Sequence, residues 1–185
     1  MNSDRPHGPG TATDRRGFFK KSLAVALGLL AALAPVTTGL IVAADPLRRK
    51  TAAGQAIRVT TLAALPADGR PRRFPVIGAR TDAWTRFDAT PVGAVYLLRT
   101  GDQAVQALNV VCPHAGCSVE FEPGTGRFVC PCHKSVFALD GRLADPRSPS
   151  PRGLDSLAAR VDADGAVWVT FQNFQAGRPD KVPLA

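Results

Sequence analysis

All four cysteines and two of the three histidines lie in two short segments, and both residue types are common metal ligands. The first segment reads CPHAGC at 112–117, and the second reads CPCHKS at 130–135. They contain a Cys-x-His pair and a Cys-x-x-His pair, separated by fifteen residues. Thiolates and imidazoles clustered in this way are typical ligands of soft and borderline metals. The pattern therefore predicts a metal centre held by two loops, to which the third histidine, His7, does not belong.

Two metal chemistries and one metal-free arrangement fit these residues. Zinc sites with two cysteines and two histidines usually group like ligands, with a Cys-Cys pair followed by a His-His pair. Here each segment supplies one Cys and one His, which favours a two-iron cluster with two cysteines on one iron and two histidines on the other. The alternatives are a tetrahedral zinc site, and two disulfides with bystander histidines that leave the histidine spacing unexplained.

With these two segments, the sequence resembles the Rieske iron–sulfur protein family over about residues 90–172. The resemblance implies an antiparallel β domain that carries a [2Fe-2S] cluster in loops at its tip. It also implies that Cys112 and Cys130 hold the inner iron, and that His114 and His133 hold the outer iron near the surface.

The resemblance extends to residues around the ligands. Cys117 and Cys132 match the pair that forms a disulfide between the cluster loops of quinol-oxidising members, whereas Rieske-type ferredoxins and ring-hydroxylating oxygenases usually lack it. Two free buried thiols are the alternative. Ser135 matches the serine whose hydroxyl donates to a cluster sulfide and raises the potential. By the same resemblance, His133 accepts the hydrogen bond from the quinol hydroxyl.

Three positions depart from the family pattern. Phe137 stands where many high-potential members have Tyr, and losing that phenolic donor predicts a low-to-middle potential, suited to menaquinol rather than ubiquinol. Lys134 stands where Gly is usual, and its charge would favour the reduced cluster and offset part of this effect. Ser148-Pro149-Ser150-Pro151 resembles the Gly-Pro-x-Pro loop that shields the cluster, with Ser in place of Gly; a generic proline-rich turn is the alternative.

The N-terminal part of the chain contains a candidate membrane anchor at residues 22–44. These 23 positions carry no charge, and a helix of that length, roughly 35 Å, crosses a hydrocarbon core of about 30 Å with some tilt. Pro35 lies within the segment and is expected to kink the helix. A cleaved signal peptide ending near Val42-Ala43-Ala44 is the alternative. Residues 45–54 are predicted to form a flexible tether.

The residues that precede this anchor form a leader at 1–21. Its segment DRRGFFK at 14–20 resembles a twin-arginine export signal, which implies export of an already folded domain. Five Lys/Arg precede the apolar segment and three follow it, so the positive-inside rule places the N-terminus in the cytoplasm. The remaining domain would then lie on the outer side of a bacterial cytoplasmic membrane, where a disulfide persists.

The charge distribution and the pattern of apolar residues predict that the rest of the chain, residues 55–185, forms one mainly β domain. The chain of 185 residues carries a formal net charge of +8, of which residues 1–50 hold +5, so the basic excess makes no case for nucleic acid. Short apolar runs separated by turns predict strands, including a hairpin around 100–102. The strand candidates are 73–77, 93–99, 103–111, 157–161 and 166–171; the cluster-binding part is expected at 108–152, and 55–90 matches nothing specific.

These features predict a membrane-anchored Rieske subunit of a cytochrome bc-type quinol:cytochrome c oxidoreductase. It would take an electron and a proton from quinol beside a cytochrome b-type subunit and pass the electron to a cytochrome c-type acceptor. The chain alone would be an electron carrier. The alternative is the small Rieske subunit of a periplasmic molybdenum oxidoreductase of the arsenite oxidase kind, whose second segment can continue as Ser-Val-Phe, as at 135–137 here. A free ferredoxin is disfavoured by the export signal.

Overall fold

The computed structural model describes residues 15–48, 54–81 and 85–184 of the chain. These residues fall into two units, a helical N-terminal unit that ends near Arg49 and a β unit that follows it. The leader residues 1–14, with Asp14 of the export motif, lie outside the described residues, as do residues 49–53 of the predicted tether.

The N-terminal unit is one α-helix, α1, that spans Arg15–Arg48. Its portion Arg15–Ala44 contains an 18-residue stretch with a mean hydropathy of 2.2 and is long and apolar enough to cross a membrane, although a signal sequence has the same properties. The helix is longer at both ends than the predicted span of 22–44. It includes residues 45–48, Asp-Pro-Leu-Arg, which the sequence assigned to the flexible tether.

The β unit consists of three antiparallel sheets. The first has the order β1-β10-β9, the second β2-β3-β4-β8 and the third β5-β6-β7. The strands are β1 Ala56–Thr61, β2 Arg72–Thr81, β3 Arg86–Arg99, β4 Val105–Asn109, β5 Glu120–Glu122, β6 Arg127–Val129, β7 Val136–Phe137, β8 Ser156–Leu157, β9 Ala159–Val161 and β10 Ala166–Thr170. A 3-10 turn, Leu62–Ala64, follows β1.

The predicted antiparallel β architecture is confirmed, with two differences. The segment 55–90, which matched nothing specific, provides β1, β2 and the start of β3, and β1 pairs with β10 at the far end of the chain. The predicted strand 157–161 is divided, because the chain passes from one sheet to another at Ala158: β8 pairs with β4, whereas β9 pairs with β10.

The β unit has two hydrophobic cores, one at the base of the domain, formed by the first two sheets, and one at its tip, which carries the third sheet. One core lies between the first two sheets, and the other packs against the third sheet and the two cysteine-containing segments. Tyr96 of β3 belongs to the second core and is 7% exposed. Its hydroxyl donates to the Val119 carbonyl at 3.3 Å and accepts from the Phe121 amide at 3.2 Å. The long strand β3 therefore holds the third sheet on the base.

Candidate metal centre

The first cysteine-containing segment, 112–117, forms a closed turn that we call loop 1. The Cys112 amide donates to the Cys117 carbonyl at 2.7 Å, and the Gly116 amide donates back to the Cys112 carbonyl at 2.9 Å. Gly116 has φ +81°, a left-handed conformation that glycine adopts without steric cost. The turn leaves the Cys112 side chain buried, while Ala115 and Gly116 are exposed.

The second segment, 130–135, forms an equivalent turn that we call loop 2. The Cys130 amide donates to the Ser135 carbonyl at 2.8 Å, and the Lys134 amide donates to the Cys130 carbonyl at 3.0 Å. Lys134 therefore occupies the position that Gly116 has in loop 1, and its φ is +59°. It has the one positive φ of a non-glycine residue in the part of the chain that the structure describes. The left-handed geometry is the physical reason why glycine suits this position.

A disulfide between Cys117 and Cys132 joins the two loops, which confirms the pairing that the resemblance implied. The Cys130 Sγ lies within 4.8 Å of both disulfide sulfur atoms. These three sulfur atoms are not a metal site, because two of them are already bonded to each other. Cys112 and Cys130 remain free, and both are buried.

The loops bring the four predicted ligand residues to one end of the domain. Cys112 and Cys130 are 0% and 1% exposed, whereas His114 is half-buried and His133 is exposed. The two imidazole rings lie 4.7 Å apart between centroids and are nearly perpendicular, at 88°. The arrangement places thiols inward and imidazoles outward, which is the order predicted for an inner and an outer iron.

Two polar atoms at this place lack partners in a way that fits an absent group. Among the described residues, the buried side-chain atoms without a hydrogen bond are His114 Nδ1 and Ser135 Oγ. Buried polar atoms are nearly always satisfied in native proteins, so an unsatisfied pair calls for an explanation. A ring nitrogen that ligates iron and a hydroxyl that donates to a cluster sulfide would satisfy both. The residues present therefore fit an iron–sulfur cluster.

Burial also affects the thiols. It raises the pKa of the Cys112 thiol, and the neighbouring Cys130 thiol raises it further. The His114 amide and the Ser135 hydroxyl act in the opposite direction on the same pKa. A thiol must lose its proton to ligate a metal, so metal binding here must supply the free energy of deprotonation.

The proline-containing segment 148–151 contacts the residue that follows loop 2 through the Ser148 side chain. Ser148 Oγ accepts from the Val136 amide at 3.0 Å, directly after Ser135. Ser148 has no positive φ, so the backbone at this position does not need the family glycine. Ser150 is buried, and its hydroxyl donates to the Arg152 carbonyl at 2.7 Å. Phe137, at the position of the family Tyr, is fully buried against the same core.

The C-terminal segment, 172–184, folds back against loop 1, and this contact was not predicted from the sequence. The Gly177 amide donates to the Pro113 carbonyl at 2.7 Å. Asn109, which is 1% exposed, donates through its side-chain amide to the Gln172 carbonyl and to Asn173 Oδ1, both at 3.0 Å. Because most of these partners are backbone atoms, no residue pattern marks them in advance. The one signal was Asn109, a polar residue in a buried strand three positions before the first cysteine.

Comparison with known proteins gives consistent results. The profile of the Rieske [2Fe-2S] domain family matches residues 56–159. The menaquinol:cytochrome c reductase iron–sulfur subunit of Geobacillus thermodenitrificans is 31% identical over 160 residues, which cover 84% of this chain and 89% of that protein. The cytochrome b6-f complex iron–sulfur subunit of Synechococcus sp. (strain JA-3-3Ab) is 38% identical over 76 residues, which cover 41% of this chain and 43% of that protein.

Among solved structures, the cyanobacterial plasma membrane Rieske protein from Synechocystis PCC 6803 is similar. It is 28% identical with a TM-score of 0.43, and the match covers 62% of this chain and 99% of that one. The family profile begins at residue 56, well before the start of the resemblance near residue 90, so β1 and β2 belong to the shared domain.

Proposed function

Because the chain belongs to the Rieske [2Fe-2S] domain family, we propose that it is the membrane-anchored Rieske subunit of a quinol:cytochrome c oxidoreductase. The observation that carries the proposal is the pair of disulfide-linked loops with buried free thiols and two adjacent imidazoles. Relatives with this domain are subunits of cytochrome bc-type complexes. An oxidoreductase role follows from the family; the quinol and the acceptor are part of the proposal.

We assign the ligands as the sequence predicted. Cys112 and Cys130 hold one iron of the [2Fe-2S] cluster, and His114 and His133 hold the other. When bound, the cluster supplies one-electron redox chemistry, at a potential that imidazole ligands raise relative to clusters with four cysteines. The support for the assignment is the unsatisfied His114 Nδ1 together with the burial of both thiols.

His133, Ser135 and the disulfide then have separate roles at the quinol site. His133 is exposed, so its outward imidazole nitrogen accepts the hydrogen bond of the quinol hydroxyl and takes its proton. Ser135 is fully buried, so its hydroxyl donates inward rather than to solvent. The disulfide keeps the two loops together while the proton is exchanged.

The buried Phe137 favours menaquinol as the quinol. Its side chain offers no hydroxyl to the cluster region, so the potential stays lower than with Tyr at this position, and menaquinol is the more reducing quinol class. One relative that covers most of this chain is a menaquinol:cytochrome c reductase subunit. Both observations support the same substrate class.

Helix α1 anchors the subunit in this proposal. The export motif and the excess of basic residues before the apolar segment put the N-terminus in the cytoplasm and the β domain on the outer side. There the domain meets a cytochrome b-type subunit, which supplies the quinol pocket, and a cytochrome c-type acceptor.

An EPR-monitored redox titration of native membranes, with and without a quinol-site inhibitor, tests the proposal. A Rieske-type spectrum whose line shape changes with the inhibitor is expected. The same spectrum without any response, together with co-purification of a large molybdopterin subunit instead of a cytochrome b, would contradict the proposal and point to the arsenite oxidase-like alternative.

A further inference from the structure

The residues on both sides of Cys112 are tied to the C-terminal segment, which lies beyond the end of the family profile at residue 159. On one side, Asn109 Oδ1 accepts from the Val111 amide at 3.0 Å, while its side-chain amide donates to the Gln172 carbonyl. On the other side, the Pro113 carbonyl accepts from the Gly177 amide. Loop 1 is therefore fixed by contacts that precede and follow its first ligand.

Arg152 holds the C-terminal segment in this place. Its Nε and one terminal nitrogen donate to the Asp155 carboxylate at 3.0 and 2.8 Å. Its terminal nitrogens also donate to the Gln175 carbonyl at 3.0 Å and to the Arg178 carbonyl. The side chains of Arg152 and Asp155 are 11% and 7% exposed. Arg152 thus fixes the backbone on both sides of Gly177.

The Arg152–Asp155 ion pair is also connected to loop 1 through Asn109. The Asp155 carbonyl accepts from the Asn109 amide at 2.8 Å, so the ion pair and the Asn109 side chain are parts of one network. A planar guanidinium makes such a fork with several acceptors, and an ammonium cannot reproduce its geometry.

We propose that Arg152 is a positioning residue for loop 1. It acts through Gly177 on Pro113 and through Asp155 on Asn109, and so holds Cys112 and His114 in place. The proposal rests on the ligand assignment given above. Partners of ligating residues keep a metal site in its binding geometry, and their removal typically weakens metal affinity by about 10- to 100-fold.

The test compares Arg152→Lys with Arg72→Lys in the full-length, cluster-loaded protein. Arg72 is a matched control, because it pairs with Asp68 at 2.6 Å and donates to a backbone carbonyl, but it lies on β2. Amide hydrogen exchange at Gly177, the EPR line shape and the rate of cluster loss are measured. Arg152→Lys is expected to accelerate exchange at Gly177 and cluster loss by at least about tenfold, with an altered EPR line shape, whereas Arg72→Lys changes none of them.

A second variant that ends at Gln175 removes the Gly177 donor and is expected to lose its cluster at least as fast as Arg152→Lys. The proposal is overturned if both variants behave like Arg72→Lys. It is also overturned if cluster loss only accompanies loss of far-UV circular dichroism, which would indicate general unfolding. A wild-type protein without a cluster would refute the ligand assignment instead, and exchange at Gly177 would still report on the contact itself.

Discussion

The imidazole rings of His114 and His133 lie 4.7 Å apart and nearly perpendicular, although each ring belongs to a different loop. The two loops have the same backbone hydrogen bonds, from the first residue to the sixth carbonyl and from the fifth residue back to the first. This repeated turn presents one thiol inward and one imidazole outward from each loop. Two copies of one turn therefore bring two imidazoles and two thiols to the same end of the domain.

Replacing Lys134 by glycine is expected to stabilise the protein. Lys134 has φ +59°, and a left-handed conformation costs a non-glycine residue roughly 1–2 kcal/mol. The greater freedom of glycine in the unfolded chain offsets part of this gain. Lys134→Gly should raise the free energy of unfolding by about 1 kcal/mol in a denaturant titration with the disulfide intact.

Lys134→Ala is the matched control, because it removes the same charge and keeps the strained backbone. No comparable stabilisation is expected from it, and both variants should lower the midpoint potential, since both lose a cation beside the site. Equal stability of the two variants would show that backbone strain at this position is negligible.

Removing the disulfide is expected to destabilise the tip of the domain. Cys117 and Cys132 are 15 residues apart, and closing a loop of that length stabilises a protein by about 3 kcal/mol through the unfolded state. The double variant Cys117→Ala/Cys132→Ala should unfold at lower denaturant concentration and lose its cluster sooner. An unchanged unfolding midpoint would mean that other contacts already hold the loops together.

Local signals in the sequence were sufficient for the ligand loops and for the hairpin of β3 and β4. The cysteine and histidine spacing marked loops 1 and 2, and the turn around Gly101 marked the hairpin. Pairing between β1 and β10 could not be predicted, because it joins Ala56 to Thr170 and depends on a shared core rather than on any nearby residue.

The left-handed position in loop 2 could have been recognised by aligning the two segments with each other. CPHAGC and CPCHKS superpose residue for residue, and Gly116 then falls on Lys134. Helix α1 extends beyond the predicted apolar segment at both ends, since hydropathy marks the part that suits a membrane and not the part that is helical.

Phe137→Tyr is expected to raise the midpoint potential of the cluster. Phe137 is fully buried in the core beneath the loops, and a phenolic hydroxyl at this position would add a hydrogen-bond donor near the site, which stabilises the reduced state. The potential is measured by redox titration followed by EPR. Phe137→Leu, which adds no donor, is the control, and an unchanged or lower potential in Phe137→Tyr would refute this role.

Stability should fall in acid partly because of Asp162. The Trp168 indole N–H at 2.9 Å and the Ala166 amide at 2.8 Å donate to its carboxylate and hold its pKa below the ordinary value of 3.8. A carboxyl whose pKa is lowered by folding contributes stability above its unfolded pKa, and that contribution is lost as the pH falls through the folded value.

Melting temperatures measured from about pH 6 down to about pH 3 compare the wild type with Asp162→Asn. The wild type should be more stable at the upper end of this range, and the difference should shrink below about pH 4, near the unfolded pKa. Parallel curves at all pH values would show that the carboxylate charge does not contribute.

The ligand set of two cysteines and two histidines is tested most directly by pulsed EPR of the reduced, full-length protein. We expect a Rieske-type spectrum with nitrogen couplings from two imidazoles, which His133→Ala abolishes and His7→Ala leaves unchanged. An iron–sulfur spectrum without nitrogen coupling, or a protein that contains zinc and no iron, would contradict it.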